Sequence, residues 1–420
     1  MSTYEIKDIN LASSGAQKIA WVQSHMPLLR AIEEHVTALS PEERPLAGIK
    51  MSVSIHLEAK TAYLCQVLAM AGATVAVTGS NVLSTQDDVA AALAQSGISV
   101  FAVHGESDAD YFKHIERCLE HKPNILIDDG GDLVSMLHTS RPDLAEELWG
   151  GCEETTTGVI RLKALEAEGL LRFAMVAVND ARMKHLFDNR YGTGQSVWDS
   201  IMRNTNLIVA SKTVVVAGYG WCGRGIAMRA AALGAQVIVT EVDAVKAIEA
   251  RMDGHTIMPM KEAASKGDIF ITATGCKDVI TTEHMLAMQD NVLLCNAGHF
   301  NVEVDVAGLA EIATQHYTAR ENIEAFVLSS GKRINIIGQG KLVNIAAADG
   351  HPAEIMDLSF AVQYHSVLYI RDNRENLKPK VYDVSAEIDN LISEELLAAW
   401  GVTVDVLSPE QEKYLSSWQV

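Results

Sequence analysis

Residues 214–225 read VVVAGYGWCGRG. An apolar run, Thr213–Ala217, enters the spacing Gly218-x-Gly220-x-x-Gly223, and a helical stretch, Gly223–Leu233, leaves it. Each glycine has a physical reason. Gly218 makes the tight turn, Gly220 lets backbone approach a pyrophosphate, and Gly223 allows helix and strand to pack closely. The helix N-terminus offers unpaired N–H groups to the phosphates. The next β-rich run, Gln236–Thr240, ends at Glu241, 23 residues after Gly218. A carboxylate there accepts from ribose hydroxyls and repels a 2′-phosphate. The stretch therefore predicts a Rossmann unit that takes NAD rather than NADP. The bland alternative is a glycine turn that merely packs tightly, and strand, helix and acid in register argue against it. Arg224 could attract a 2′-phosphate, but its place just inside the helix predicts exposure to solvent.

The same alternation extends in both directions. Upstream, Ile49–Ile55, Ala73–Thr78, Ile98–Val103, Asn124–Asp128 and Ala174–Val178 read as strands, with helical stretches such as Thr61–Ala71 and Ser84–Gln95 between them. Downstream, Ile269–Ala273 and Val292–Cys295 continue it, before Ile355–Ile370 and Val384–Trp400 read as long helices. Short strands alternating with helices predict parallel α/β architecture. The fold class expected is two parallel-sheet α/β domains, a Rossmann NAD domain inserted into a substrate-binding domain. The boundaries expected are 1–182 and 350–395 for the substrate domain, 190–345 for the NAD domain, and 396–420 for a C-terminal oligomerisation tail. Hinges are expected near 180–195 and 345–355.

Composition sets the class. The chain has 420 residues, 48% apolar and 21% charged, which suits two or three globular domains and argues against disorder. Its net charge of −20 is a poor match to a phosphate backbone or an anionic membrane. No apolar run reaches the length of a membrane span, and the polar stretch Met1–Asn10 has no signal-peptide core. A soluble, cytoplasmic protein is expected. The six cysteines, Cys65, Cys118, Cys152, Cys222, Cys276 and Cys295, form no C-x-x-C pair, so neither a zinc site nor a dithiol motif is suggested. No metal-ligand cluster is evident, and no metal is expected.

Polar residues crowd the ends of the upstream strands: His56, Ser80 and Asn81, Asp129, then Asn179 and Asp180. Ligands of open α/β sheets bind beyond the carboxyl ends of strands, so several such ends suggest one site facing a cleft. The densest segments are SIHLEAKT (54–61), DDGGDL (128–133), CEETTTGV (152–159), VNDARMKHLFDNRYG (178–192), NAGHF (296–300) and GHP (350–352). Singly, each has an ordinary reading. His56 could be a satisfied core histidine. Asp128 and Asp129 could cap the next helix, and Thr155–Thr157 could simply open one. Lys184 and Asp188 could be a surface i,i+4 pair. Composition and spacing give an NAD-binding two-domain protein and no reaction.

At these residues the chain resembles the S-adenosylhomocysteine hydrolase (adenosylhomocysteinase) family, from about His56 to about Leu415. STQDD (84–88), DDGGDL, EETTTGV, VND, FDN-x-YG, AGYG-x-x-G-x-G, TE-x-D, GHF, LVN (342–344) and GHP carry the likeness. HLEAKT and a short C-terminus resemble its archaeal and thermophile branch. The resemblance implies reversible hydrolysis of S-adenosyl-L-homocysteine to adenosine and L-homocysteine by NAD-dependent 3′-oxidation, elimination, water addition and re-reduction. It also implies a homotetramer working in the methyl cycle. Carried over position by position, it implies catalytic roles for His56, Asp129, Glu154, Lys184, Asp188, Asn189 and His299. A lysine acting as base at position 184 would need a depressed pKa. NAD would be held by Thr155, Thr156, Thr157, Gly218, Gly220, Gly223, Glu241, Lys246, Thr274, Ala297, Gly298 and Asn344. Substrate would meet Glu58, Lys60, Thr61, His351, Met356 and Phe360.

The sequence departs from many relatives in four places. Glu58 and Lys60 stand where many have Thr and Glu or Gln; Thr193 replaces Cys; Lys246 replaces Asn. The chain also ends at Val420, short of the C-terminal Lys and Tyr of many relatives, which implies looser cofactor exchange. Lysine offers only hydrogen-bond donors, so Lys60 aimed at a purine edge would favour the O6 of hypoxanthine. S-inosyl-L-homocysteine is thus the alternative substrate. Two readings of another class are an NAD-dependent 2-hydroxyacid dehydrogenase, which would not need EETTTG or DDGGD, and a non-catalytic regulatory relative, which would lack some acid–base residues.

Overall fold

The computed structural model describes Thr3 to Trp418; Met1, Ser2, Gln419 and Val420, the outermost residues of the expected first domain and tail, lie outside the described residues. Two eight-stranded sheets organise the chain. The first runs, edge to edge, Tyr4–Glu5, Ser99–Phe101, Thr74–Thr78, Lys50–Ser54, Ile125–Asp128, Gly150–Glu153, Ala174–Ala177 and Val381–Asp383, all parallel. The chain winds outward from Lys50–Ser54 in one direction and then from Ile125–Asp128 in the other. The carboxyl ends of these two strands bound the crevice where an open sheet places its ligand.

The second sheet runs Thr256–Ile257, Gln236–Thr240, Thr213–Ala217, Ile269–Thr272, Val292–Asn296, Arg333–Ile337, Ile323–Leu328 and Ala313–Arg320. Its order reverses between Thr213–Ala217 and Ile269–Thr272, so the glycine turn at 218–223 stands at that sheet's own switch point. Ile323–Leu328 is antiparallel to both neighbours. The two parallel-sheet α/β domains expected from the sequence are present; the antiparallel edge of the second sheet is an addition, and its outer strand Ala313–Arg320 is almost wholly exposed and shows no buried alternation to read.

Two crossings join the lobes. The outward one is a helical run, Arg182–Lys184, a π-helical segment His185–Gly192, then Thr193–Thr205. The return is Ala353–Asn373, after which Val381–Asp383 closes the first sheet. Two buried aspartates anchor the packing. Asp357 of the return helix accepts from the backbone N of Leu28 and Leu29 at 2.8 and 2.9 Å. Asp389, on the helix Ala386–Ala399, accepts from the N of Arg182 and Met183 at 3.0 and 2.9 Å. Each satisfies orphan donors at a helix start that local sequence leaves uncapped.

The strand Gly150–Glu153 was not legible in the sequence, because glycine weakens a strand by propensity. Packing explains its presence. A Cβ on Gly150 would lie 2.7 Å from the Ala174 carbonyl oxygen, and one on Gly151 2.9 Å from Leu126. No helix among the described residues is long and apolar enough to cross a membrane.

Candidate active site

Five strand ends of the first sheet supply the site. His56 and Ser80 follow Lys50–Ser54 and Thr74–Thr78; Asp129, Glu154 and Asn179 follow the next three. Parallel strands in register bring these residues to one edge although up to 123 positions separate His56 from Asn179. The crossing helices cover them. The π-helical segment, a distortion that recurs at functional sites, buries Asp188 and Asn189 beside Lys184. The return helix adds Ser359 and Gln363, and the nucleotide lobe adds His299.

The polar residues form two groups. In the first, Ser80 Oγ donates to Asp129 Oδ2 at 2.7 Å and lies 3.1 Å from His56 Nδ1. His56 Nε2 stands 3.4 Å from Asp129 Oδ2, and His299 Nδ1 4.0 Å from Asp129 Oδ1. Burial pushes His56 down to about 4, so its imidazole is neutral. Burial pushes Asp129 upward, but His56, His299 and the Ser80 hydroxyl outweigh it and hold the carboxylate below its usual range. Donor atoms of His56, Asp129 and His299 lie within 4.8 Å of one another, a grouping that the spacing along the sequence does not display. His299 arrives from the other lobe, which no sequence spacing could reveal.

In the second group Lys184 Nζ stands 3.4 Å from both Glu154 Oε1 and Asp188 Oδ2 and donates to Asn189 Oδ1 at 2.9 Å. Asn189 donates in turn to Asn179 Oδ1 at 2.9 Å. Asp188 also accepts from Ser359 Oγ at 2.6 Å and faces His351 Nδ1 at 2.6 Å, while Gln363 donates to Glu154. Burial lowers the Lys184 pKa, but Asp188 and Glu154 more than offset it and hold the ammonium above lysine's ordinary value. This is the opposite direction to the depressed pKa that a lysine acting as base would need. Burial raises Glu154 to about 7 against the pull of Lys184. Asp188 is held well below the carboxylate range, against burial, by Lys184, His351 and Ser359. The surface i,i+4 reading of Lys184 and Asp188 fails, since they are 4% and 2% exposed.

Asp128 accepts from Val134 N at 2.9 Å, so it does cap the next helix, whereas Asp129 points into the cleft. Thr155 caps its helix through Gly158 N, and Thr156 donates to Asn179 at 3.3 Å. Thr157 is half-buried. Met356 and Phe360 lie in the apolar core of the first lobe. Glu58 caps the helix Ala59–Met70 through Lys60 N and Thr61 N. Lys60 Nζ stands 2.7 Å from Glu58 Oε2 and donates to the Asp349 carbonyl at 2.9 Å. His351 also meets Thr193 Oγ1 at 3.3 Å.

The second sheet fits a dinucleotide on its own geometry. Gly218 has φ +94, and a Cβ there would lie 2.7 Å from the Ala273 carbonyl; one on Gly223 would lie 2.0 Å from the Gly218 carbonyl. A Cβ on Gly220 would meet nothing, so the turn is open where a pyrophosphate would approach. Gly220 starts the helix Trp221–Ala232 with no side-chain cap, which leaves its first N–H groups for phosphate. Asn344 donates to Ser196 at 3.0 Å, and its buried Oδ1 has no partner, as the carboxamide of a nicotinamide would require. Glu241 accepts from the N of Tyr219, Val242 and Asp243, and Lys246 is exposed. Thr274 is clamped by Glu303, while Ala297 N donates to the Thr272 carbonyl and Gly298 N to Asn296. Arg224 is half-buried, less open than the exposure expected from the sequence. It stacks over Trp221 at 4.9 Å and pairs with Glu249 at 2.7 Å.

Sequence reasoning placed Ser80 at a strand end facing the cleft but missed Ser359 and Gln363 as site residues. The signal for these two was present: they stand four apart in the apolar middle of the helix, which puts two polar groups on one face.

The family model described as the S-adenosyl-L-homocysteine hydrolase NAD binding domain matches residues 189–350, and the one described as S-adenosyl-L-homocysteine hydrolase matches residues 3–143. The chain is 54% identical over 407 residues to the adenosylhomocysteinase of Thermotoga maritima, covering 97% of this chain and 100% of that one. It is 53% identical over 416 residues to the S-inosyl-L-homocysteine hydrolase of Methanocaldococcus jannaschii, covering 99% of each. It is 52% identical over 418 residues to the adenosylhomocysteinase of Pyrococcus abyssi, covering 100% of this chain and 98% of that one.

Proposed function

The chain belongs to the S-adenosyl-L-homocysteine hydrolase family, whose cofactor is NAD, and from that premise we propose that it reversibly hydrolyses S-adenosyl-L-homocysteine to adenosine and L-homocysteine. The observation that carries the proposal is the convergence, across the two lobes, of the His56–Asp129–His299 group with the Lys184–Glu154–Asp188 group. The chemistry needs both. A thiolate leaves poorly from the unactivated C5′ of a nucleoside, whereas a ketone at C3′ acidifies C4′ and lets the sulfur depart by elimination.

Bound NAD would supply the acceptor, and later the donor, of the hydride at C3′. The turn Gly218–Gly223 would hold its pyrophosphate, Glu241 its ribose and Asn344 its carboxamide, with Thr155–Thr157, Lys246, Thr274, Ala297 and Gly298 completing the site. Lys184, kept protonated, would stabilise negative charge growing on O3′, and Glu154, near 7, would take up the hydroxyl proton. Asp188 fixes Lys184, and Asn189 and Asn179 orient it. Asp129 would remove the C4′ proton once C3′ is a carbonyl. His56 and His299 would place the water that adds to C5′ and return protons to the departing sulfur.

A second reading has its own support. Lys60, buried beside the Asp349 carbonyl next to His351, is a donor that would suit hypoxanthine, so S-inosyl-L-homocysteine is the alternative substrate. Comparing kcat/KM for the two thioethers, with mass spectrometry of the products, tests the assignment. Turnover of neither by the NAD-loaded protein would refute both. A homotetramer in the cytoplasm belongs to the same proposal. Exposed Val404, Val406, Tyr414, Leu415 and Trp418 support association, and sedimentation velocity would test it.

A further inference from the structure

Glu153 is a buried acid that the chemistry proposed above does not use. It ends the strand Gly150–Glu153, directly before Glu154, and is 0% exposed. One of its oxygens, Oε1, accepts three hydrogen bonds: from Gly130 N at 2.8 Å, from Thr155 N at 2.9 Å and from Thr155 Oγ1 at 2.8 Å. Gly130 follows Asp129, and Thr155 follows Glu154. A single atom thus joins the two loops that carry the acid–base carboxylates, at the residue after each.

The surroundings are shaped around this carboxyl group. Gly158, in the first turn of the helix Thr156–Ala167, gives it room: a Cβ there would stand 2.1 Å from Glu153 Oε1. The Gly130 peptide is held from its other side as well. Arg161 of the same helix donates to the Gly130 carbonyl, and to Asp132 Oδ1 at 3.0 Å. His299 of the nucleotide lobe packs on that turn. A shift of Gly130 therefore moves Asp129 against both Glu154 and His299.

The second oxygen, Oε2, is buried and has no partner. Asp128, the register partner of Glu153 on the neighbouring strand, brings another carboxyl group close. Burial first, and then Asp128, push the Glu153 carboxyl well above its ordinary value. All three donors meet one oxygen, so a neutral side chain with a carbonyl oxygen at that point can make the same bonds.

We infer that Glu153 is a positioning residue: its Oε1 ties Gly130 to Thr155 and so fixes Asp129 and Glu154 relative to each other for the two proton transfers. Fully buried, it acts through those loops. The inference rests on the hydrolase reading.

The test uses the full-length, NAD-loaded protein with adenosine and follows two steps. Transient nicotinamide absorbance reports oxidation at C3′. Exchange of the C4′ hydrogen with deuterated solvent, read by mass spectrometry, reports proton removal by Asp129. E153A should slow both by about ten- to a hundred-fold, the scale of loss when reacting groups are misplaced by about an ångström. The adenosine Kd should change by less than about three-fold, because ground-state contacts are kept. E153Q, which keeps the acceptor oxygen, should restore both rates to within about three-fold of the parent. G158A keeps the acid but displaces it, and should slow both steps as E153A does; it decides the matter where E153A does not fold. In hydrogen–deuterium exchange without substrate, the amides of 126–134 and 150–158 should exchange about ten-fold faster in E153A and not in E153Q. A parent that forms no reduced nicotinamide with adenosine sinks the hydrolase reading and this inference together. With an active parent, parent-like rates in E153A and G158A, or E153Q as slow as E153A, would overturn the inference alone.

Discussion

Gly130 packs so closely on His299 that a Cβ built on it would stand 2.2 Å from the imidazole Nε2. The two residues lie in different lobes, and the missing side chain is what lets the nucleotide lobe deliver its histidine to Asp129. Gly130 also has φ +103, a conformation that costs other residues about 1–3 kcal/mol. G130A should therefore lower kcat at least about ten-fold, an effect of about 1.4 kcal/mol on the barrier. In an H299A background the same substitution should lose the part of its effect that comes from the clash. A double-mutant cycle on kcat checks this, and additive losses would show that the contact is not what matters.

Removing one partner of the buried Lys184–Asp188 pair leaves the other charge uncompensated, a loss of about 3–5 kcal/mol in comparable pairs. D188N should fall at the lower end, because Glu154 still faces Lys184 at 3.4 Å and Ser359 and His351 can bond the amide oxygen. Equilibrium denaturation of D188N and K184M measures both. K184M should also abolish the first oxidation, seen as loss of the transient nicotinamide absorbance when adenosine is added.

The pH behaviour follows from Glu154. If this carboxylate accepts the O3′ proton, kcat/KM should climb through about pH 7 and level off above it, and E154Q should lose that limb. Stability runs the other way. The folded protein holds the Glu154 proton more tightly than an unfolded chain, with a pKa near 7 against an ordinary 4.5. Its contribution is therefore full below 4.5 and is lost as pH rises through 7. Asp357, which burial pushes to about 7, has the same sign. Denaturation midpoints should drop between pH 6.5 and 8, above the range where buried His56 and His121, lowered to about 4, act with the opposite sign, and D357N should flatten the slope.

Lys60 gives a prediction on specificity. Its ammonium holds the Asp349 carbonyl and Glu58, so K60M frees Glu58 to accept from the N6 amine of adenine. The ratio of kcat/KM for the adenosyl over the inosyl compound should rise about ten-fold or more, as expected when a buried donor is removed from one of two competing bases. An unchanged ratio would show that Lys60 serves only the Asp349 carbonyl and Glu58.

The amino-acid order by itself determined the local devices. The run at 214–225 specifies strand, glycine turn and helix because phosphate-binding backbone needs that spacing, and the upstream alternation specifies a parallel sheet with polar residues at its strand ends. The resemblance supplied His56, Asp129, Glu154, Lys184, Asp188 and His299 as candidates. Only the tertiary structure decided which of them meet. Lys184 and Asp188 are four apart whether buried or exposed, and the carboxylates of Asp188 and Glu154 are what hold the buried lysine's pKa up against burial. The strand Gly150–Glu153 exists because neighbours crowd out side chains, a fact local propensity opposes. His299 faces Asp129, 170 residues away, because two separate sheets dock with a glycine between them. Periodicity and motif spacing report neighbours along the chain, whereas charge and hydrogen-bond geometry depend on neighbours in space.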